Sequence, residues 1–407
     1  MRLDIEGIRS QFPALDRTQD GTQVAYLDGP GGTQTPLGVI EAMTSVLTNG
    51  VSNLEGGFGA SRDADEVVHL GRVAVADLLG ATPAEISFGQ NMTSITFAVS
   101  RALASTWKPG DAIVTTSLDH DANYTPWIRA ATDAGVEVRV AEFDTATGIL
   151  EPSAIAEVLD ESVRLVAICL CSNSLGTAVD VSSISAMAHE MGALVFVDAV
   201  HAAPHRLIDV QDLACDFLVA SAYKFFGPHT GMLYGKLEHL ASLDFYKVRP
   251  APSDPPGKME TGTQSFEAIA GVTAAVDYLA SLSGLDGNRR NRLAETFRLI
   301  SGHESNLARR FGEGLATIPG ARIHGLPADD ARRVPTFAVS ISDKDPGSLA
   351  SHLGERGIYT WSGHYYAVNV MDRLGSLDDG GLLRIGFVHY NTEEEVDRVV
   401  NALTSLA

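Results

Sequence analysis

The chain reads as an α/β protein: a large unit built on an open, mostly parallel sheet covered by helices, followed by a smaller α+β unit at the C-terminus. Two observations carry this. Between residues 86 and 235, short apolar runs without polar alternation are separated by segments of helical period, the pattern of strands buried on both faces. Past residue 265 the pattern becomes long helical stretches, the second rich in arginine and glutamate, and then short strands alternating with helices. The expected boundaries are 21–265 for the large unit and 266–407 for the small one, with residues 1–20 packed on the small unit.

In order along the chain, Ile5, Ile8, Phe12 and Leu15 carry a weak helical pattern broken by Pro13. Tyr26-Leu27 ends a short strand that enters Asp28-Gly29-Pro30-Gly31-Gly32-Thr33-Gln34, a bend whose missing side chains let backbone approach a ligand or another chain. A second glycine cluster, Glu55-Gly56-Gly57-Phe58-Gly59, follows Ser52 and Asn53 and reads as a mobile substrate loop. Helical period over 64–79 precedes a strand at 86–88, and Gly89-Gln90-Asn91-Met92-Thr93 leads into a helix ending near Ser105. Strands are expected over 111–117, 136–143, 163–171, 193–198, 216–221 and 231–235. The small unit should hold helices over 266–282, 289–315, 346–356 and 392–406, and strands over 321–324, 334–341, 358–361 and 383–388. Its last helix opens on Thr392-Glu393-Glu394-Glu395, carboxylates where the helix dipole favours them.

Composition narrows the function. With 407 residues, 45% hydrophobic and 20% charged, the chain is ordinary globular material. A formal charge of −21 and no basic run speak against nucleic acid and against an anionic membrane. No stretch approaches the ~18 apolar residues of a membrane span, and Met1-Arg2-Leu3-Asp4-Ile5-Glu6 is too charged to begin a signal segment, so a cytoplasmic address is expected. Cys169, Cys171 and Cys215 are expected to be reduced core residues. His201 and His205 are four apart, but no metalloprotease glutamate or cysteine pair accompanies them, and no metal is expected. Neither G-x-G-x-x-G nor a Walker loop is present, so nucleotide binding has no fingerprint.

Ligands of an open α/β sheet bind beyond the carboxyl ends of its strands, and polar residues gather there. They are Asn91 and Thr93, His120, Asn173, Asp198 and His201, then Ser221 and Lys224. Among Lys108, Lys224, Lys236, Lys247, Lys258 and Lys344, only Lys224 has aromatic neighbours on one side and small polar ones on the other. Such a lysine either lays its stem on apolar surface or is a desolvated amine that captures a carbonyl as a Schiff base. Asp198 ends a buried strand and either caps a helix or meets a cationic partner, and His120 either caps a turn or covers a ring. Asn91, Thr93 and Ser221 supply the helix N-terminus and hydroxyls that a phosphate prefers. Amine, carboxylate, aromatic plate and anion cradle are together the requirements of pyridoxal 5′-phosphate.

The ordered motifs resemble those of fold-type-I, class V aminotransferases, close to the cysteine desulfurases and selenocysteine lyases. They are Tyr26-Leu27-Asp28, His120-x-x-Asn123-x-x-Pro126-Trp127, Ser172-Asn173-x-x-Gly176-Thr177, Val197-Asp198-Ala199-Val200-His201, Ser221-x-x-Lys224-x-x-Gly227-Pro228, Gly262-Thr263 and Arg384 through Tyr390-Asn391-Thr392. The resemblance implies the fold-type-I transferase fold, with Lys224 as the Schiff-base lysine and Asp198 as the pyridine partner. It implies His120 as the ring-stacking residue, and Asn173 and His201 as polar neighbours of the ring. Arg384 would hold the substrate carboxylate. Asn91, Met92, Thr93, Ser221 and Tyr223 would contribute to the cofactor site, and Thr263 would reach the phosphate of a partner subunit in a homodimer with shared sites.

Departures shape the expected activity. Relatives carry a cysteine nucleophile on a loop that resembles Trp361-Ser362-Gly363-His364-Tyr365-Tyr366-Ala367, and no cysteine follows Cys215. The residue before the lysine is Tyr223 instead of histidine, and the phosphate loop reads Gln90-Asn91-Met92-Thr93. A β-eliminating C–S lyase acting on an amino acid is therefore expected, with Tyr365, Tyr366 and Asn53 beside Arg384 on the substrate side. Transamination and epimerisation share the steps up to α-proton removal. A protein that binds the cofactor or an amino acid without turnover is the alternative of another class.

Overall fold

The computed structural model describes residues 3–406, so Met1 and Arg2 of the charged N-terminal run lie outside it. Seven strands form the main sheet: β1 (Ile86–Gly89), β2 (Ala112–Thr116), β3 (Glu137–Ala141), β4 (Val163–Cys169), β5 (Leu194–Asp198), β6 (Phe217–Ser221) and β7 (Gly231–Gly235). Their order is β1-β7-β6-β5-β4-β2-β3. Neighbours from β6 to β3 are parallel, whereas β7 runs antiparallel to both β6 and β1.

The continuous apolar runs have a direct cause. Along β5 and β6, Phe196, Phe217 and Val219 face one core cluster while Val195, Val197, Leu218 and Ala220 face another. Both faces are dry, so the pleat's alternation never shows as apolar against polar. Helices α4 (Met92–Ala104) and α5 (Thr125–Ala134) cover the first face. Helices α3 (Gly59–Leu79), α6 (Val181–Glu190) and α7 (Phe266–Ser281) cover the second, and α7 also packs on α2 (Leu37–Asn49).

The smaller unit is a four-stranded antiparallel sheet of β8 (Ala321–His324), β9 (Thr336–Ile341), β10 (Trp361–Gly363) and β11 (Leu382–Gly386), in the order β8-β9-β11-β10. Its core joins Phe337, Leu383 and Ile385 to apolar residues of α8 (Arg289–Leu315), α9 (Pro346–Gly354) and α10 (Glu393–Thr404).

Three expectations differ from what is seen. The division at residue 265 assigns α7 to the small unit, yet Ile269, Val272 and Val276 bury in the large unit's core against α3. The changeover falls inside α8: Leu293, Phe297 and Ile300 join the large core, while Leu307, Phe311 and Leu315 join the small one. The strand expected over 358–361 is two strands, because Ile358–Tyr359 pairs parallel with Ala25–Tyr26 and Trp361–Gly363 pairs with β11. The N-terminal segment touches both units rather than the small one alone. Arg9 of α1 (Ile5–Arg9) reaches Glu395 and the Tyr390 carbonyl, and Phe12 lies edge-on to Phe226, Tyr278 and Tyr390.

Candidate active site

β1, β6 and β7 converge on the start of α4. Asn91 caps this helix by accepting from the Ser94 N–H, and the Met92 N–H donates to Ser221 Oγ at 3.0 Å. A Cβ on Gly231 would fall 2.4 Å from the Asn91 carbonyl carbon, so only glycine lets the helix start lie this close to the strand ends. Met92 itself turns its side chain into the core and offers the site only backbone.

Beyond the strand ends lies a cavity of about 610 Å³, lined by Thr93, His120, Asn173, Tyr223, Lys224, Tyr365, Tyr366 and Arg384 among others. Lys224 Nζ donates to the Pro30 carbonyl and lies 5.0 Å from the centre of the Tyr223 ring, which is itself stacked on His229 at 5.0 Å. Burial, and then the Arg384 guanidinium, brings the Lys224 amine down to about 7, against the opposing pull of Asp198 and Asp28. A neutral amine is thus populated near neutral pH, as capture of a carbonyl requires.

Asp198 ends β5, accepts the Val200 N–H at 2.9 Å, and has no ion-pair partner among the described residues. Burial raises its carboxyl to about 6. His120 accepts the Ala122 N–H on Nδ1 and so caps a short turn while its ring faces the cavity. Burial, then the cations Lys224 and Arg384, lower it to about 3, leaving a neutral imidazole. His201 lies behind the cavity wall with Nε2 3.0 Å from Thr336 Oγ1.

Arg384 enters from β11, 5% exposed. Its Nη1 donates to the Asn173 carbonyl at 3.1 Å, and its guanidinium carbon lies 4.5 Å from the centre of the Tyr365 ring. Asn173 Nδ2 donates to the Tyr365 carbonyl, and Asn173 Oδ1 is buried without a partner. Tyr365 and Tyr366 both have left-handed backbone, φ 49° and 58°. Such a pair costs energy and persists because its surroundings hold it. Here the Tyr365 hydroxyl donates to the Leu382 carbonyl and the Asp121 N–H to the Tyr366 carbonyl. Tyr366 then stacks its ring on His120, centroids 5.6 Å apart.

Some expected site residues lie elsewhere. Asp198, His201 and Ser221 stand behind the cavity wall, and Asn91 and Thr263 line a neighbouring cavity of about 650 Å³ with Gln90 and His229. Asn53 is exposed, its carbonyl held by Ser61 Oγ in a loop away from Lys224. Other residues came only from the structure. The Pro30 carbonyl and the orphaned Asp28 Oδ1 follow from the glycine bend, where a Cβ on Gly31 would meet Trp361 Nε1 at 2.9 Å. Phe97 could have been found from Thr93, one helical turn before it on α4.

These residues fit pyridoxal 5′-phosphate. A buried amine held by a backbone carbonyl, a buried carboxylate without a cation, an orphaned amide oxygen and a helix start beside a serine hydroxyl correspond to its aldehyde, pyridine nitrogen, ring hydroxyl and phosphate.

Comparison with known proteins agrees. The aminotransferase class-V family model matches residues 25–399. The chain is 31% identical to a cysteine desulfurase of Yersinia pestis, covering 99% of this chain and 98% of that protein. It is 32% identical to the aminotransferase-like protein FGM3 of Gibberella zeae, covering 98% of each. The apo structure of a cysteine desulfurase from Thermococcus onnurineus superposes with a TM-score of 0.87 at 28% identity, covering 100% of this chain and 98% of that one. The chain belongs to the aminotransferase class-V family, with the fold-type-I fold of the cysteine desulfurases, and is a pyridoxal 5′-phosphate-dependent enzyme.

Proposed function

We propose that the enzyme is a C–S lyase that cleaves a cysteine or cysteine conjugate by β-elimination. The observation that carries this is the loop of residues 361–367, which brings Tyr365 and Tyr366 to the cavity and holds no thiol. The three cysteines are buried elsewhere, and burial pushes the Cys171 thiol to about 11 and the Cys215 thiol to about 12. No accessible thiolate is therefore at hand to accept sulfur as a persulfide.

The cofactor, when bound, supplies an aldehyde for the amino group and an electron sink for the α-carbon. Lys224 would hold that aldehyde and, once displaced, remove the α-proton. Asp198 would keep the pyridine nitrogen protonated, and His120 would cover the ring face as a neutral imidazole. His201 would stay a buried polar support behind the ring. Asn91, Thr93 and Ser221 would cradle the phosphate, with the Met92 N–H holding Ser221 Oγ and Tyr223 flanking the group. Arg384 would fix the substrate carboxylate with Asn173 and Tyr365 as its frame. In the net reaction the Cα–H and Cβ–S bonds break, sulfur leaves as a thiol, and water converts the released enamine to pyruvate and ammonia.

We also read the enzyme as a cytoplasmic homodimer. Leu37, Ile40 and Leu47 of α2, with Val51, Leu54 and Phe58 after it, form an exposed apolar run that a second copy would cover. Asn53 and Thr263 would then serve the neighbouring site.

An amino-acid panel tests the reading. Cysteine, cystine or a cysteine conjugate should give pyruvate and ammonia, with no mass increment of sulfur on the protein. Stoichiometric conversion of the cofactor to its amine form without pyruvate would establish transamination instead.

A further inference from the structure

Trp361 and Arg384 are directly opposite each other in the antiparallel pair of β10 and β11. Opposed residues in such a pair send their side chains to the same face, and both line the same cavity. The group that would hold the substrate carboxylate therefore has an indole fixed beside it. Further round the wall stand Phe97, Pro126 and Tyr366.

The charged groups of the cavity are otherwise committed. Both oxygens of Asp121 accept from Thr125 Oγ1 at 3.0 Å, and Lys224 and Arg384 belong to the amine and carboxylate ends of the substrate. Phe97, Trp361 and Tyr366 themselves carry no charge to pair with a charged substituent, and the other ionisable groups of the lining include His364, whose Nδ1 accepts the Tyr366 N–H. Trp361 and Tyr366 instead leave 55% and 66% of their surfaces exposed at the cavity mouth, Tyr366 with its ring also stacked on His120.

We propose that the β-substituent accepted here is bulky, planar and apolar, so that the substrate is a cysteine carrying an aryl or benzyl group on sulfur. This rests on the lyase reading above. Trp361, Phe97 and Tyr366 are then specificity-determining residues: they sort substrates by the group on sulfur, while Arg384 and Lys224 hold what all amino acids share.

The test uses ligands that cannot eliminate. Cofactor-loaded enzyme is titrated with L-2-aminobutyrate and with L-2-amino-5-phenylpentanoate, the carbon counterpart of S-benzylcysteine, and Kd is read from the change in cofactor absorbance. The phenyl compound should bind at least about tenfold tighter. Trp361→Ala and Phe97→Leu should each remove most of that preference while leaving the Kd of 2-aminobutyrate unchanged. Trp361 is exposed, so its loss spares the core, and thermal unfolding of each variant checks the fold. Equal affinity for the two ligands, or a preference that survives both substitutions, overturns the proposal and leaves the cofactor reading intact. A preference unchanged in Trp361→Ala while the dimer dissociates would show that a second copy covers the indole, which also overturns it. Protein that develops no cofactor absorbance would instead sink the underlying cofactor site, and the proposal with it.

Discussion

His205 Nδ1 and Glu304 Oε2 meet 2.9 Å apart with their side chains 2% and 4% exposed, tying the loop after β5 to the middle of α8. Glu304 falls between Ile300, which packs in the large core, and Leu307, which packs in the small one. Its other oxygen has no partner among the described residues, so His205 carries the carboxyl's hydrogen bonding alone. Truncating either residue leaves the other buried without this partner. Glu304→Ala and His205→Ala should each lose about 3 kcal/mol by urea unfolding, and Glu304→Gln, which keeps one hydrogen bond, should lose less. Losses under about 1 kcal/mol for both alanine variants would show that water satisfies the pair.

The same region marks where the sequence stops being informative. The strands were legible because a run buried on both faces has a composition of its own, and β7 spans the expected Gly231–Gly235. α8 was legible as a helix over 289–315. Its change of partner was not, since an apolar stripe looks alike whichever core it faces. At the site, polar residues at strand ends pointed to Lys224, His120 and Asn173 and the family resemblance to Arg384, and these four share a cavity. Trp361 was quoted only as part of a loop, because pairing register decides which side chain stands beside Arg384 and register cannot be read from one strand alone.

Lys224 should reveal its desolvation in a pH profile. The amine must be neutral to attack an aldehyde, and its cation, lowered to about 7, is lost as pH rises through that value. The rate at which cofactor-free protein captures pyridoxal phosphate should therefore climb with pH, half-maximal near 7. Asp198 favours the cation, so Asp198→Asn should shift the midpoint downward. Lys224→Ala should give no borohydride-fixed adduct. A midpoint near the ordinary lysine value of 10.5 would contradict the buried, cation-flanked setting.

Arg384 offers two parallel N–H groups that a lysine cannot imitate. Burial lowers it only to about 10, so it remains cationic at neutral pH. Arg384→Lys should raise KM for an amino-acid substrate by about 10–100-fold, the equivalent of about 1.5–3 kcal/mol for a hydrogen bond to a charged group. kcat should fall much less. Binding of the matching amine without a carboxylate should be almost unchanged, which separates loss of a carboxylate contact from general damage. Equal weakening of acid and amine would remove Arg384 from the carboxylate role.

Thr263 poses the sharpest question about assembly, because within its own chain it lines one cavity with Asn91 and Gln90, whereas the proposed dimer gives it to the neighbouring phosphate site. The two arrangements differ in a mixing experiment. Lys224→Ala chains and Thr263→Ala chains are each expected to be strongly impaired alone. If Thr263 acts across the interface, a heterodimer pairs the intact Lys224 of one chain with the intact Thr263 of the other and regains one site, while its second site is doubly defective. Random reassortment makes half the dimers mixed, so an equimolar mixture refolded together should recover about a quarter of wild-type activity. If Thr263 acts within its own chain, each site in the mixed dimer carries one defect and nothing is regained. Leu47→Glu, placed on the 60% exposed side chain of α2, adds a buried charge to the proposed interface and should both dissociate the dimer and abolish the rescue. An active monomer by sedimentation, in wild type or in Leu47→Glu, would dispose of the shared-site arrangement.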